Sequence, residues 1–258
     1  MYLYLSLNER AVPVNIGWFK DWALNADFSS LFEIPDIAGV KVSDVPRILY
    51  LALDRPRKRN FFIPRLFQSL IFRQCIYEDE MALLFKHKTD FGSYNFVSNG
   101  SIYMASCYPF FGYDMQLINE LFRPVPAVRE KIDKRCAAFT SHTIGVHVRR
   151  TDNVLSINES PIELFYKHID ADIKLFPDTN IYLATDSEEV KNCFRERYNS
   201  ILITSDSEAD RNSVAGIRDG MVDLYSLSRT SKIYGSFGSS FSELASDISG
   251  TLLCIVRR

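Results

Sequence analysis

Two adjacent arginines end the segment 143–152, T-I-G-V-H-V-R-R-T-D, where a phosphate could be held. The apolar run of Ile144, Val146 and Val148 stops at Arg149 and Arg150 and passes to Thr151 and Asp152. Buried parallel strands read as aliphatic segments, and ligands of open α/β sheets sit beyond the strands' carboxyl ends. The two guanidiniums therefore fall where a phosphorylated ligand docks. A guanidinium is a rigid fork of donors matched to a phosphate, and two in succession leave one for the ligand and one to be held by a carboxylate such as Asp152.

A second anion-holding feature is 235–245, G-S-F-G-S-S-F-S-E-L-A. A strand feeds a Gly/Ser loop that opens into a helix, whose first amides form a phosphate cradle; an ordinary serine-rich helix cap is the alternative. Asp223 sits among Met221, Val222 and Leu224, where an unpaired carboxylate is costly. Its partner is either the pair of adjacent N–H donors of a guanine base or backbone at a helix end. Asp186, in A-T-D-S-E-E, fits a ligand contact or, preferably, an N-cap. Glu159 lies in the loop between the arginines and the next helix, exposed toward the same mouth, and reads as a general base or as a solvated loop acid. His147 alternates with Val146 and Val148 and reads as a hydrogen-bonded structural histidine. The D-x-D of Asp170 and Asp172 reads as a solvated helix face, and Glu78-Asp79-Glu80 lacks the histidine or strand-end context of a metal site. Neither a metal nor a cofactor is expected.

The elements that must position these groups alternate regularly in the C-terminal half. Ser160-Pro161-Ile162-Glu163 reads as a capping box with proline at the first helical position, opening a helix to about residue 176 whose stripe is Leu164, Phe165, His168, Ile169 and Ile173. Strands are expected at 180–185, 201–204, 232–235 and 252–256. Helices are expected from a cap at Asp186 and Ser187 to near 198, and at 220–228 and 241–249. This alternation implies the α/β class with a doubly wound parallel sheet. The N-terminal half is more aromatic and less regular, with strands at 12–16 and 101–106, a long helix at 61–77, and helices at 114–122 and 125–139. A boundary within 123–143 divides the chain into domains 1–140 and 141–258. Residues 1–7 resemble part of a helix preceding the 12–16 strand, so the N-terminal domain is expected to be truncated at its first strand.

Composition narrows the partners. A chain of 258 residues, 47% of them hydrophobic, can fill one large core or two modest ones. A net charge of −2 supplies no basic field for nucleic acid. The five cysteines, Cys75, Cys107, Cys136, Cys193 and Cys254, are odd in number and never paired as C-x-x-C, as expected of thiols in a reducing compartment. No apolar run reaches membrane-spanning length, and the first residues lack the basic leader of a signal peptide, so a cytoplasmic location is expected.

Taken together, the segments resemble the fucosyltransferase superfamily through its H-x-R-R-x-D motif, present as His147-Val148-Arg149-Arg150-Thr151-Asp152. The nearer likeness is to the α1,6 branch of core N-glycan and nodulation enzymes, because G-V-H-V-R-R-T-D, L-A-T-D-S, V-D-L-Y-S-L-S and G-S-S-F-S-E-L-A follow in the same order. The resemblance covers 143–250 well and the N-terminal half loosely. It implies a GT-B-like fold of two Rossmann-type domains, GDP-β-L-fucose as donor, a glycan or glycoconjugate hydroxyl as acceptor, and inversion without a metal. Arg149 would bind the β-phosphate and assist GDP departure, Arg150 would buttress the loop, the His147 backbone with Asp223 would read guanine, and Asp152 is a candidate donor contact. Asp186 is a further candidate donor contact. Ser239 and Ser240 match serines that approach the diphosphate, while Phe241 stands where the core N-glycan enzyme is polar. Glu159 is the nearest match to the catalytic glutamate, and Asn153 replaces the lysine that accompanies it. The glycine-rich loop of the family's N-terminal domain is expected before the first residue here. Two rivals share the donor fold: a GDP-binding protein without turnover, and a transferase for another nucleotide sugar.

Overall fold

The computed structural model describes residues 13–21, 24–87, 100–105, 115–151, 153–207, 210 and 212–258. They fall into two compact units, one comprising the residues up to Lys20 with Ile34–Ile118 and the other Asp21–Glu33 with Asn119–Arg258. The first unit pairs short strands in parallel: β1 (Val14–Trp18) with β2 (Val40–Asp44), and β3 (Gln74–Ile76) with β4 (Ile102–Met104). The segment 61–77 is not one helix. Phe61 and Phe62 turn the chain in the left-handed region (φ 50° and 59°), a helix runs over Ile63–Ile71, and β3 follows. Apolar spacing alone does not register such a break, because an amphipathic stripe continues across it. Residues 1–7, where a preceding helix is expected, lie outside the described residues.

The second unit is built on a parallel sheet of β5 (Ile144–Val148), β6 (Ile181–Thr185), β7 (Leu202–Thr204), β8 (Lys232–Ser236) and β9 (Leu252–Val256), in the order β7-β6-β5-β8-β9. The helices that follow along this part of the chain are α1 (Pro126–Cys136), α2 (Val154–Glu159), α3 (Ile162–Leu175), α4 (Glu188–Tyr198), α5 (Val214–Leu227) and α6 (Ser240–Ser249). All residues of β5 and β6 are buried, as a strand covered on both faces requires. Ile144, Val146 and Val148 pack with Phe165 and Ile169 of α3 and with Val190 and Phe194 of α4. Tyr182 and Ala184 face the other way, toward Leu227 of α5 and Ala245 of α6. This is the doubly wound arrangement that the strand and helix alternation predicts. The helix α1, assigned by sequence to the first domain, lies in the second unit and joins Arg135 to Asp223 of α5.

Two local expectations fail for the same reason, that a polar group was claimed elsewhere. Ser160 does not N-cap α3, whose N-cap is Pro161; it ends α2, and its hydroxyl donates to the Val256 carbonyl (2.6 Å) and accepts the Phe237 amide (2.8 Å), tying β9 to the turn after β8. The D-x-D face is not simply solvated. Asp172 is buried and accepts from Lys232 Nζ (2.6 Å) and Tyr234 OH (2.9 Å), while Asp170 pairs with Arg197 and Tyr198.

Candidate active site

The sheet order reverses between β5 and β8, and ligands of open α/β sheets bind in the crevice that this switch opens at the carboxyl ends. Both flanking loops are fixed by side chains. Thr185 Oγ1 donates to the Val148 carbonyl (2.7 Å), and Ser236 Oγ accepts the Arg149 amide (3.1 Å), so the end of β5 is held from both neighbouring strands. Asp186 then grips the arginine loop, accepting the Arg150 amide on Oδ1 (2.8 Å) and Thr151 Oγ1 on Oδ2 (2.6 Å). The preferred reading of Asp186 as an N-cap is therefore corrected: Ser187 caps α4, accepting the Val190 amide. Arg150 donates to the carbonyls of Arg149 (3.0 Å) and Ser160 (2.8 Å), contacts that brace the loop. Asp152 lies outside the described residues.

The turn after β8 approaches just as closely. A Cβ on Gly235 would meet Ser242 Oγ at 2.5 Å, so glycine lets the start of α6 close on the strand, and Gly238 takes the left-handed conformation (φ 64°). Asn153 caps α2 with its carbonyl oxygen and donates from Nδ2 to the Gly238 carbonyl (3.1 Å), joining the two loops.

Between the ends of β5 and β6, α5 and Phe241 of α6 opens a cleft enclosing about 660 Å³, open solvent at its mouth included. Its lining brings together His147, Arg149, Asp186, Asp223 and Phe241 from the sequence-predicted set, and adds Lys191. The His147 ring is buried against Phe241, with centroids 4.7 Å apart and Nδ1 3.4 Å from Ser239 Oγ. Burial pushes its pKa down to about 4, Asp186 opposing and Arg149 reinforcing the shift, so the imidazole is neutral near pH 7. Asp223 accepts Arg135 Nη1 (2.6 Å) and Tyr182 OH (2.8 Å), both on Oδ1. Burial raises its pKa; the Tyr182 hydrogen bond and the Arg135 charge oppose that rise.

Other predicted residues stand outside this lining. Ser239 is buried, with its hydroxyl toward His147, and Ser240 is exposed as the first residue of α6. Glu159 is not in a loop: it closes α2, because Asn153 starts a helical turn immediately after the arginines. Among the described residues, no three His, Cys, Asp or Glu side chains cluster as metal ligands. Arg135 and Tyr182 were missed by sequence. A tyrosine within the aliphatic strand I-Y-L-A-T was the available signal, since a buried hydroxyl needs a partner. Arg135, in a run of charged helix residues, gave none.

The fold is that of a GT-B-like α/β enzyme. NodZ α-1,6-fucosyltransferase soaked with GDP-fucose superposes with a TM-score of 0.61 at 18% identity, over 96% of this chain and 85% of that one. Fucosyltransferase NodZ from Bradyrhizobium gives 0.60 at 19% identity, over 95% and 85%. A mutant of Arabidopsis thaliana FUT1 in complex with GDP gives 0.54 at 14% identity, over 94% and 70%. Residues 103–248 match the family of alpha-(1,6)-fucosyltransferase N- and catalytic domains, and the chain belongs to that family. It is a fucosyltransferase, as the motif order predicts.

Proposed function

We propose that this enzyme moves L-fucose from GDP-β-L-fucose to a glycan hydroxyl, with inversion and without a metal. The observation that carries this reading is the cleft at the carboxyl ends of β5 and β6, which has Arg149 at the strand end and Asp223 in the same lining. In this reading 141–258 hold the donor and 1–140 supply the acceptor side. Arg149 binds the β-phosphate, with Arg150 and Asp186 keeping its loop in place, and the His147 backbone and Asp223 read the base. As the C1–O bond to GDP lengthens, negative charge builds on the diphosphate. The Arg149 guanidinium and the N-terminus of α6, near Ser239 and Ser240, stabilise it by preorganised electrostatics, and this positive charge supports a metal-free mechanism. A neutral His147 packed on Phe241 leaves that field uncluttered by a further titrating group. Glu159 takes the proton of the acceptor hydroxyl as oxygen attacks the opposite face of the sugar. Its place at the end of α2, outside the lining of the cleft, supports reading it as a group on the acceptor side.

Among the described residues no helix is long and apolar enough to cross a membrane. We further infer a cytoplasmic location, supported by the odd cysteine count and by Cys75, Cys136, Cys193 and Cys254, which are free thiols.

The test is GDP release from GDP-fucose with a mixed glycan acceptor library, with products read by mass spectrometry and GDP, UDP and CMP as competitors. Fucosylated product, selective inhibition by GDP and undiminished turnover in EDTA are expected. Strict loss in chelator removes the metal-free step, and preferential use of another nucleotide sugar overturns the donor assignment.

A further inference from the structure

We propose that Arg135 and Tyr182 are positioning residues for base selection, holding Asp223 from behind so that one carboxylate oxygen is presented to the cleft as a fixed acceptor. The inference rests on the donor reading above.

Both contacts converge on a single atom. Arg135 Nη1 and Tyr182 OH donate to Oδ1, at 2.6 and 2.8 Å, whereas Oδ2 has no hydrogen-bond partner among the described residues. A carboxylate offers about two lone-pair sites per oxygen, so the acceptor capacity of Oδ1 is largely used and that of Oδ2 remains. Asp223 lines the cleft; Arg135 and Tyr182 do not. The pair therefore braces the carboxylate without competing for the ligand, and the available oxygen suits the N1–H and N2–H edge of a guanine.

The charged and titratable groups acting on Asp223 are Arg135 from α1, Tyr182 from β6, Lys191 from α4 and Asp219 one turn earlier on α5. Lys191 is committed elsewhere. Its ammonium pairs with Glu188 and donates to the Ser207 carbonyl at 2.6 Å. Asp219 repels Asp223 but is paired with Lys131 at 3.1 Å. Burial favours the neutral acid, and Tyr182 and Arg135 are the nearest groups favouring the anion. A protonated Asp223 would set O–H against N–H, so the brace controls both the aim and the charge of the base reader.

The experiment measures GDP and IDP affinity by calorimetry from about pH 5 to pH 8 for wild type, Arg135→Met and Tyr182→Phe, with Asp223→Asn as control. IDP lacks the guanine 2-amino group. Each variant should bind GDP roughly tenfold more weakly near neutral pH. The GDP over IDP preference should shrink toward that of Asp223→Asn, and the acid limb of GDP binding should move to higher pH, because the unbraced carboxyl protonates earlier. Tyr182→Phe removes only a hydroxyl and keeps the test open if Arg135→Met does not fold. Equal losses for GDP and IDP with no shift of the acid limb would mean a merely structural contact and overturn the proposal. If wild type shows no preference for GDP over IDP, the guanine-reading role of Asp223 falls, and the inference with it. If wild type does and both variants keep that preference at every pH, the inference alone falls.

Discussion

The two compact units treat apolar sequence in opposite ways. In the second, β5 and β6 are buried at every position, and the apolar faces of α3 and α4 are spent against them. In the first, the strands among the described residues pair two by two, and the Ile63–Ile71 helix leaves Leu66 70% and Leu70 85% exposed. A contiguous parallel sheet over-determines its strand ends. Hydrogen bonds from Thr185, Ser236 and Asp186 anchor the backbone at Val148, Arg149 and Arg150, and a binding site needs such support. Two-stranded pairs offer no such frame, so chemistry that demands fixed geometry belongs at the carboxyl ends of the larger sheet's central strands.

The largest effects should separate donor binding from proton transfer. Arg149→Ala removes charge-assisted bonds worth about 1.5–3 kcal/mol each, so GDP should bind at least about tenfold more weakly and turnover should nearly vanish. Glu159→Gln should depress kcat by about 10²- to 10⁴-fold while leaving GDP affinity intact. Single-turnover kinetics and calorimetry read the two parameters. Near-normal turnover in Glu159→Gln at saturating acceptor would move the base to another carboxylate.

Stability probes the packing side of the comparison. Phe165, fully buried between α3 and the sheet, should cost about 3–5 kcal/mol when cut to alanine, whereas Leu66→Ala should change stability by no more than about 0.5 kcal/mol. Urea denaturation of both variants decides it, and comparable losses would mean that the Ile63–Ile71 face is covered in solution.

A smaller effect is expected with pH. His147 has a folded-state pKa near 4 against an ordinary 6.5, so the unfolded chain binds more protons between those values. Its contribution to stability is complete above pH 6.5 and is lost as pH falls toward 4. Urea midpoints should drop across that window in wild type, and less steeply in His147→Phe. An imidazole resonance titrating near 6.5 would refute the burial effect.

The smallest change concerns the turn before the Ile63–Ile71 helix. Phe61 is 82% exposed with φ at 50°, so Phe61→Gly relieves a left-handed cost of about 1–2 kcal/mol and gives part of it back in chain entropy. A net gain on the order of 0.5 kcal/mol should appear as a slightly higher Tm. A loss instead would show that the phenyl ring packs in solution.

What was legible follows from how local each signal is. Strand and helix alternation made the doubly wound sheet readable, because burial on two faces forces aliphatic runs at the spacing seen in β5 and β6. The arginine pair was readable because it ends such a run. Polar groups with several eligible partners were not. Ser160 had the sequence of a helix cap and became a bridge to Val256; Asp186 had the sequence of a cap and became the grip on Thr151. Asp172 was read as solvated and lies buried against Lys232.

By itself, the sequence determined the class of the protein, the order of its elements and the residue types at the switch point, since periodicity and strand-end chemistry are encoded within a few residues. Only the tertiary structure decided which oxygen of Asp223 is spoken for, because Arg135 stands 88 residues away along the chain and Tyr182 stands 41. A hydrogen bond over that separation depends on the sheet that brings its partners together.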